Sequence, residues 1–201
     1  MSYADLLHNK VVNSMNILWD FDGTLFDTYP MYASIFSQVL GDNTDEIEII
    51  KHLKVSFSHA INHYKLSKQQ VLGMHDLEKD LSLNEIIPFD GIEEVLKFAN
   101  KNVIMSHKDR DGVLAILQHH NWEKYFTDLV TIYDGFPRKP NPAAYNYLHR
   151  KHRIDLVIGD REIDILPAKE LEIATCLFRN KYDKADYYLE NYSDFFEIIA
   201  R

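Results

Sequence analysis

Cysteine occurs once in these 201 residues, as Cys176 within the apolar stretch ATCLF. A single thiol excludes an internal disulfide and a thiolate metal cage, and it suits a reducing, cytoplasmic setting. Long hydrophobic runs are missing too, since nothing approaches the roughly 18 apolar residues of a membrane span. The opening MSYADLLHNK lacks the basic-then-apolar order of a secretory signal. Positive charge is scarce, with 22 basic residues against 31 acids and a formal charge of −9. Such a surface disfavours nucleic acid and anionic membranes as partners, while a small anionic substrate needs only a local positive field. Repeats, low-complexity tracts and flexible linkers are absent as well, and assembly state is left open.

The residues that are present include 46% hydrophobic and 12% aromatic types, enough for one core and a smaller second lobe. Short apolar runs (NILW, NVIM, DLVTI, DLVIG, IATCLF and DYYL) alternate with amphipathic stretches such as GIEEVLKFANK, DGVLAILQHH and NPAAYNYLHRK. Alternation of this kind predicts an α/β fold with a doubly wound parallel sheet covered on both faces. Residues 29–88 break the rhythm, being helical and strand-poor. MYASIFSQVL has helical spacing and stops at Gly41, and TDEIEIIKHLK opens on Thr44 as a plausible N-cap. Further helices are expected near Ser58–Tyr64 and Lys68–Asp80. The expected organisation is therefore a small α-helical cap over 29–88, inserted into a core of 1–28 and 89–201. Its hinges would lie near Asp27 and Pro88.

In a doubly wound sheet, ligands bind beyond the carboxyl ends of the strands. The residues there are Asp20 and Asp22, Ser106, Lys139, and Asp160 with Asp164. Several carboxylates sharing one crevice call for a cation, and Mg2+ suits a hard oxygen donor set of this kind. Asp20 could ligate the metal with one oxygen and attack phosphorus with the other. Asp22 could protonate the leaving alcohol and then deprotonate water. The Gly23 amide and the Ser106 hydroxyl could hold phosphoryl oxygens, and Lys139 could balance the developing charge. Asp160 would complete the metal shell, with Asp164 supporting it from behind.

Read one at a time, these residues have blander roles. Asp20 and Asp22 could be a turn acid and a helix cap, Lys139 a loop lysine, and SHKD a cap for the next helix. Asp160 and Asp164 could be a helix N-cap and a solvated helix acid. Together, DFDGT, the serine after the second strand, RKPNP and GDREID resemble the four motifs of the haloacid dehalogenase-like superfamily of hydrolases, in order from Ile17 to about Phe178. The resemblance implies a Rossmann-like core with a helical cap, Asp20 as nucleophile and Asp22 as acid and base. It also implies Mg2+ held by Asp20, the Asp22 carbonyl and Asp160. GFPRKPNPAAYNYL and VIGDREIDI look most similar to phosphoglycolate phosphatase-like members. Pro167 and Glu172 depart from the pattern, where a small residue and a glycine are more usual, and so do His107, Lys108 and Asp109 after the serine.

The expectation is thus a Mg2+-dependent phosphatase acting on a small phosphorylated metabolite. The alternatives are a sugar phosphomutase of the same fold and a non-catalytic binding or regulatory protein. Lys51 and Lys54 keep phosphonate cleavage formally open, and Asp22 argues against dehalogenation. A zinc site among His119, His120, His149 and His152 is disfavoured, and His52, His59, His63 and His75 read as surface residues of the cap. The aromatic tail DYYLENYSDFF is expected to pack the last strand and helix.

Overall fold

Six short apolar runs pair side by side in the computed structural model, which describes residues 15–41, 44–79 and 82–200. The opening stretch, for which the sequence suggests no role, lies outside these residues except for Met15, and so does Asp80. The strands are β1 (Asn16–Trp19), β2 (Lys101–Met105), β3 (Phe126–Val130), β4 (Leu156–Gly159), β5 (Ala174–Phe178) and β6 (Tyr187–Leu189). They form one sheet in the order β3-β2-β1-β4-β5-β6, and every pair is parallel. All six runs expected to be strands are strands. β1 and β4 are buried along nearly their whole length, as continuous apolar strands covered on both faces must be.

Alternation along β1 divides the core. Ile17 and Trp19 point to one face with Ile104, Ile158, Cys176 and Phe178, and helices α5 (Ile92–Phe98), α6 (Arg110–His119) and α9 (Phe195–Ile198) lie in that half. Leu18 points to the other with Val103, Met105 and Val157, against α7 (Ala143–His152) and α8 (Glu162–Glu170). The aromatic tail packs as expected. Tyr192 stacks on Phe178 at 4.3 Å and donates its hydroxyl to the Thr24 carbonyl at 2.8 Å.

Between β1 and α5 come α1 (Tyr29–Leu40), α2 (Glu46–Val55), α3 (Phe57–His63) and α4 (Lys68–Lys79). They carry a separate apolar cluster of Tyr32, Ile35, Phe36, Ile49, Leu53, Ala60 and Met74. The chain enters and leaves this unit along one seam. Asp27 N donates to Ile87 O at 2.8 Å, Phe89 N donates to Leu25 O at 3.2 Å, and Phe26 bridges Pro88.

One local expectation shifts. The N-cap of α2 is Asp45 rather than Thr44: its carboxylate accepts from Ile47 N at 2.9 Å, and an adjacent aspartate one residue later is an equally good cap. The N-cap of α6 is Asp109, accepting from Gly112 N at 2.8 Å, so SHKD caps through its aspartate. Glu172, where a glycine is more usual, takes a left-handed φ of +57° after α8, a conformation that costs a non-glycine residue about 1 kcal/mol. No helix among the described residues is long and apolar enough to cross a membrane.

Candidate active site

Register places the chemistry. Trp19 is level with Ile104 of β2 and Ile158 of β4, so the three strands end within one residue of one another. The next residues therefore emerge at one edge, at the point where strand order reverses between β1 and β4. Asp20 continues the ladder, donating its amide to Ile158 O at 2.9 Å. Asp160 follows Gly159, and Ser106 follows Met105.

Asp20, Asp160 and Asp164 offer carboxylate oxygens within 4.8 Å of one another, and all three are buried. Two cations lie among them. Lys139 Nζ, its side chain fully buried, is 2.5 Å from Asp20 Oδ1 and 2.8 Å from Asp164 Oδ1. The Arg161 guanidinium is 3.2 Å from Asp164, 3.7 Å from Asp20 and 3.8 Å from Asp160. Asp164 is saturated by these partners and by the Arg161 amide at 3.0 Å. Asp160 accepts the Tyr29 hydroxyl at 2.5 Å on Oδ2. Asp20 Oδ2 is left buried with no hydrogen-bond partner, and so is Asp22 Oδ1.

Charge follows from this placement. Burial, with Asp164 beside it, raises the Asp20 pKa against the pull of Lys139 and Arg161. Burial also raises Asp160, with Asp164 and Asp20 adding to it. Burial opposes ionisation of Asp164 too, yet Arg161 and Lys139 hold it ionised below the usual range. Burial would strip the Lys139 proton, but Asp164 and Asp20 keep it on.

The other expected residues sit nearby with different partners. Ser106 is buried, and its hydroxyl oxygen accepts the Lys108 amide at 3.0 Å, leaving its proton to donate. The Gly23 amide donates to Phe26 O at 2.8 Å, so it is engaged within its own turn. Gly23 is needed for space: at φ +77°, an added Cβ would lie 2.3 Å from Tyr29 Cε2 and 2.9 Å from Asp160 Oδ2. Asp22 faces Lys108, which burial would discharge and which Asp22, Tyr32 and Glu78 keep charged. Lys108 Nζ lies 2.5 Å from both Tyr32 Oη on α1 and Glu78 Oε1 on α4, tying the loop after β2 to the helical unit.

Arg161, Tyr29, Lys108 and His107 were not singled out as site residues by sequence reasoning. Arg161 adjoins Asp160 and His107 adjoins Ser106, with Lys108 one residue further on, and that closeness is the signal that could have found them. His107 Nε2 accepts the Lys139 backbone N–H at 3.0 Å, which fixes the start of that side chain. Burial, with Lys139, Arg138 and Arg161 close by, lowers its pKa from 6.5 to about 3. Below pH 6.5 the unfolded chain takes up a proton that the folded chain refuses until about pH 3. The stability is therefore complete above 6.5 and is lost as pH falls towards 3, a loss that partial solvent exposure moderates. His107→Gln keeps an acceptor and removes the titration. Its urea midpoint should fall less than the wild-type midpoint between about pH 6.5 and about pH 4, and parallel profiles would assign the acid sensitivity to other groups.

Residues 17–178 match the family model described as haloacid dehalogenase-like hydrolase. The chain is 26% identical to a phosphoglycolate phosphatase of Vibrio parahaemolyticus, over 92% of this chain and 95% of the relative. It is 24% identical to the pyrophosphatase PpaX of Bacillus mycoides, over 92% and 96%. A solved hydrolase from Streptococcus pneumoniae superposes with a TM-score of 0.61 at 32% identity, covering 81% of this chain and 91% of that one.

Proposed function

Because the chain belongs to the haloacid dehalogenase-like hydrolases, we propose that it is a magnesium-dependent phosphatase that cleaves a small phosphate monoester through an aspartyl phosphate on Asp20. One observation carries the reading. Lys139 grips Asp20 Oδ1 from a buried position, while Asp20 Oδ2 is buried at the strand end with no hydrogen bond.

Asp20 attacks phosphorus, the new O–P bond forming as the bond to the leaving alcohol breaks. Asp22 gives that alcohol its proton. It then takes one from water, which attacks the phosphoaspartate, breaks its P–O bond and frees inorganic phosphate. Lys139 offsets charge on the phosphoryl group, and the Ser106 hydroxyl donates to one of its oxygens. Asp164 and His107 hold Lys139 in place from its two ends.

The donor set suits Mg2+. Its oxygens are hard, and burial pushes the Asp20 and Asp160 pKa values up despite the two cations beside them. Asp20, the Asp22 carbonyl and Asp160 would hold the ion, which when bound neutralises phosphate charge and quiets repulsion between the acids. Residues 29–88 act as a cap over the core of 1–28 and 89–201, with the Lys108 contact to Tyr32 and Glu78 fastening them together. The name of the Vibrio relative supports a substrate of phosphoglycolate's size. That of the Bacillus relative adds inorganic pyrophosphate to the candidates. A cytoplasmic setting belongs to the same proposal, resting on the lone buried thiol.

The test is phosphate release from a panel containing phosphoglycolate, sugar phosphates, nucleoside monophosphates and pyrophosphate, with Mg2+ and with EDTA. Turnover of at least one ester with Mg2+ and loss of it with EDTA is the expected outcome. At a hundredfold excess over its dissociation constant, Mg2+ should also raise the melting midpoint by about 5–10 °C. Absence of both turnover and the melting shift would overturn the reading.

A further inference from the structure

Outside the acid crevice, the helical unit gathers three histidines at one point. α2 carries Glu48 and His52 four residues apart, and α3 carries His59 and His63 at the same spacing, so each pair lies on one helix face. A single residue, Ser56, joins the helices, and its hydroxyl oxygen accepts the His59 amide at 3.0 Å. The junction turns the two faces towards each other. His52 Nδ1 lies 3.0 Å from His59 Nε2, and the His52 and His63 rings stack at 3.6 Å. One nitrogen from each of the three rings fits within 4.8 Å of the others.

We propose that His52, His59 and His63 form a binding site for a borderline divalent transition metal, zinc by preference, that clamps α2 to α3. The donor chemistry is nitrogen only, which selects against Mg2+ and Ca2+. Tetrahedral zinc with nitrogen at about 2.0–2.1 Å sets ligand nitrogens about 3.3 Å apart. The His52–His59 pair is already within a few tenths of an ångström of that edge. Imidazole nitrogens donate in the ring plane, so His63, the exposed member stacked 22° from parallel on His52, swings out of the stack to bring its nitrogen to the ion. Glu48 sits on the far side of His52, its Oε1 3.5 Å from Nε2. Held by Lys51 at 2.7 Å through its other oxygen, this carboxylate favours a proton on Nε2 and leaves Nδ1 to face the metal, as carboxylates behind ligating histidines do. Water would fill the fourth position.

The four histidines weighed for zinc from sequence lie elsewhere, with His119 packed edge-on against His120. His152 meets Asp128, His149 meets Ile154 O, and His120 meets Ile86 O.

The site is independent of turnover, and so is its test. Full-length protein stripped with EDTA is titrated with ZnCl2 by calorimetry, with excess Mg2+ present to fill the carboxylate crevice. One zinc per chain at micromolar affinity or better is expected. The double variant His59→Gln/His63→Gln should bind at least about 100-fold more weakly, since one imidazole cannot replace three. His75→Gln, altering an α4 histidine that faces Glu78, should bind as wild type. Co2+ supplies a second measurement on unmodified protein, because four-coordinate nitrogen ligation gives intense visible bands that the double variant should lack. Equal zinc binding by wild type and double variant would overturn the proposal. So would the absence of binding tighter than millimolar, or Co2+ spectra of octahedral oxygen type.

Discussion

Asp20→Asn is expected to lower phosphate release by at least about 10⁴-fold, the scale of losing a nucleophile that works as part of a unit. The protein should stay folded. The amide keeps an oxygen for Lys139 to donate to, and removing a buried charge whose pKa burial has raised relieves a cost rather than adding one. Stability by urea unfolding should therefore match or slightly exceed wild type. Acid-quenched wild type mixed with substrate should carry one added phosphoryl group by mass spectrometry, and the variant should carry none. A variant that retains turnover within about tenfold of wild type would place the nucleophile elsewhere.

Lys139→Met should have the largest effect on stability. Its side chain is fully buried and joins two buried carboxylates. Removing one partner from such a group typically costs about 3–5 kcal/mol, because the acids lose their counter-charge without regaining water. For a chain of this size that is a melting midpoint lower by about 6–20 °C. The measurement belongs in buffer free of divalent cations, which would otherwise stand in for the ammonium. Adding Asp164→Asn should recover part of the loss, since it removes one of the stranded charges, but neither variant should release phosphate. A cost below about 1 kcal/mol for the single variant would mean that Arg161 alone neutralises the crevice.

Much of this was legible in the residues. The strands announced themselves because a parallel sheet buried on both faces demands unbroken apolar runs, and NILW or DLVIG have little else to do. Asp20, Lys139, Asp160 and Asp164 could be grouped because each follows a strand, and strands that end in register deliver their next residues to one edge. Arg161 could be seen beside Asp160, but its return onto three carboxylates depends on a side-chain path that spacing does not encode. Lys108 is harder still: its partner Glu78 lies 30 residues away on α4, so the contact exists only once the helices are packed. The cap of α2 slipped by one residue because Thr44 and Asp45 are both good caps. The histidine cluster was hidden for a related reason. Two pairs at helical spacing are visible in sequence, but the turn at Ser56 that makes them face each other is not.

The seam where the chain enters and leaves the helical unit has a consequence for how such a protein can change. Asp27 and Ile87 are joined by a backbone hydrogen bond of 2.8 Å, so the ends of the insert are already neighbours. Deleting the segment between them would leave a gap that a very short linker could close, without altering the order of a single strand. The converse holds as well: a different insert could be spliced at that seam without disturbing the strand order, and the contacts it would have to replace are the Tyr29 hydroxyl on Asp160 and the Tyr32 and Glu78 partners of Lys108. A chain whose helical unit joins the sheet through so narrow an attachment can exchange that unit while the strands that deliver Asp20, Ser106 and Asp160 stay as they are.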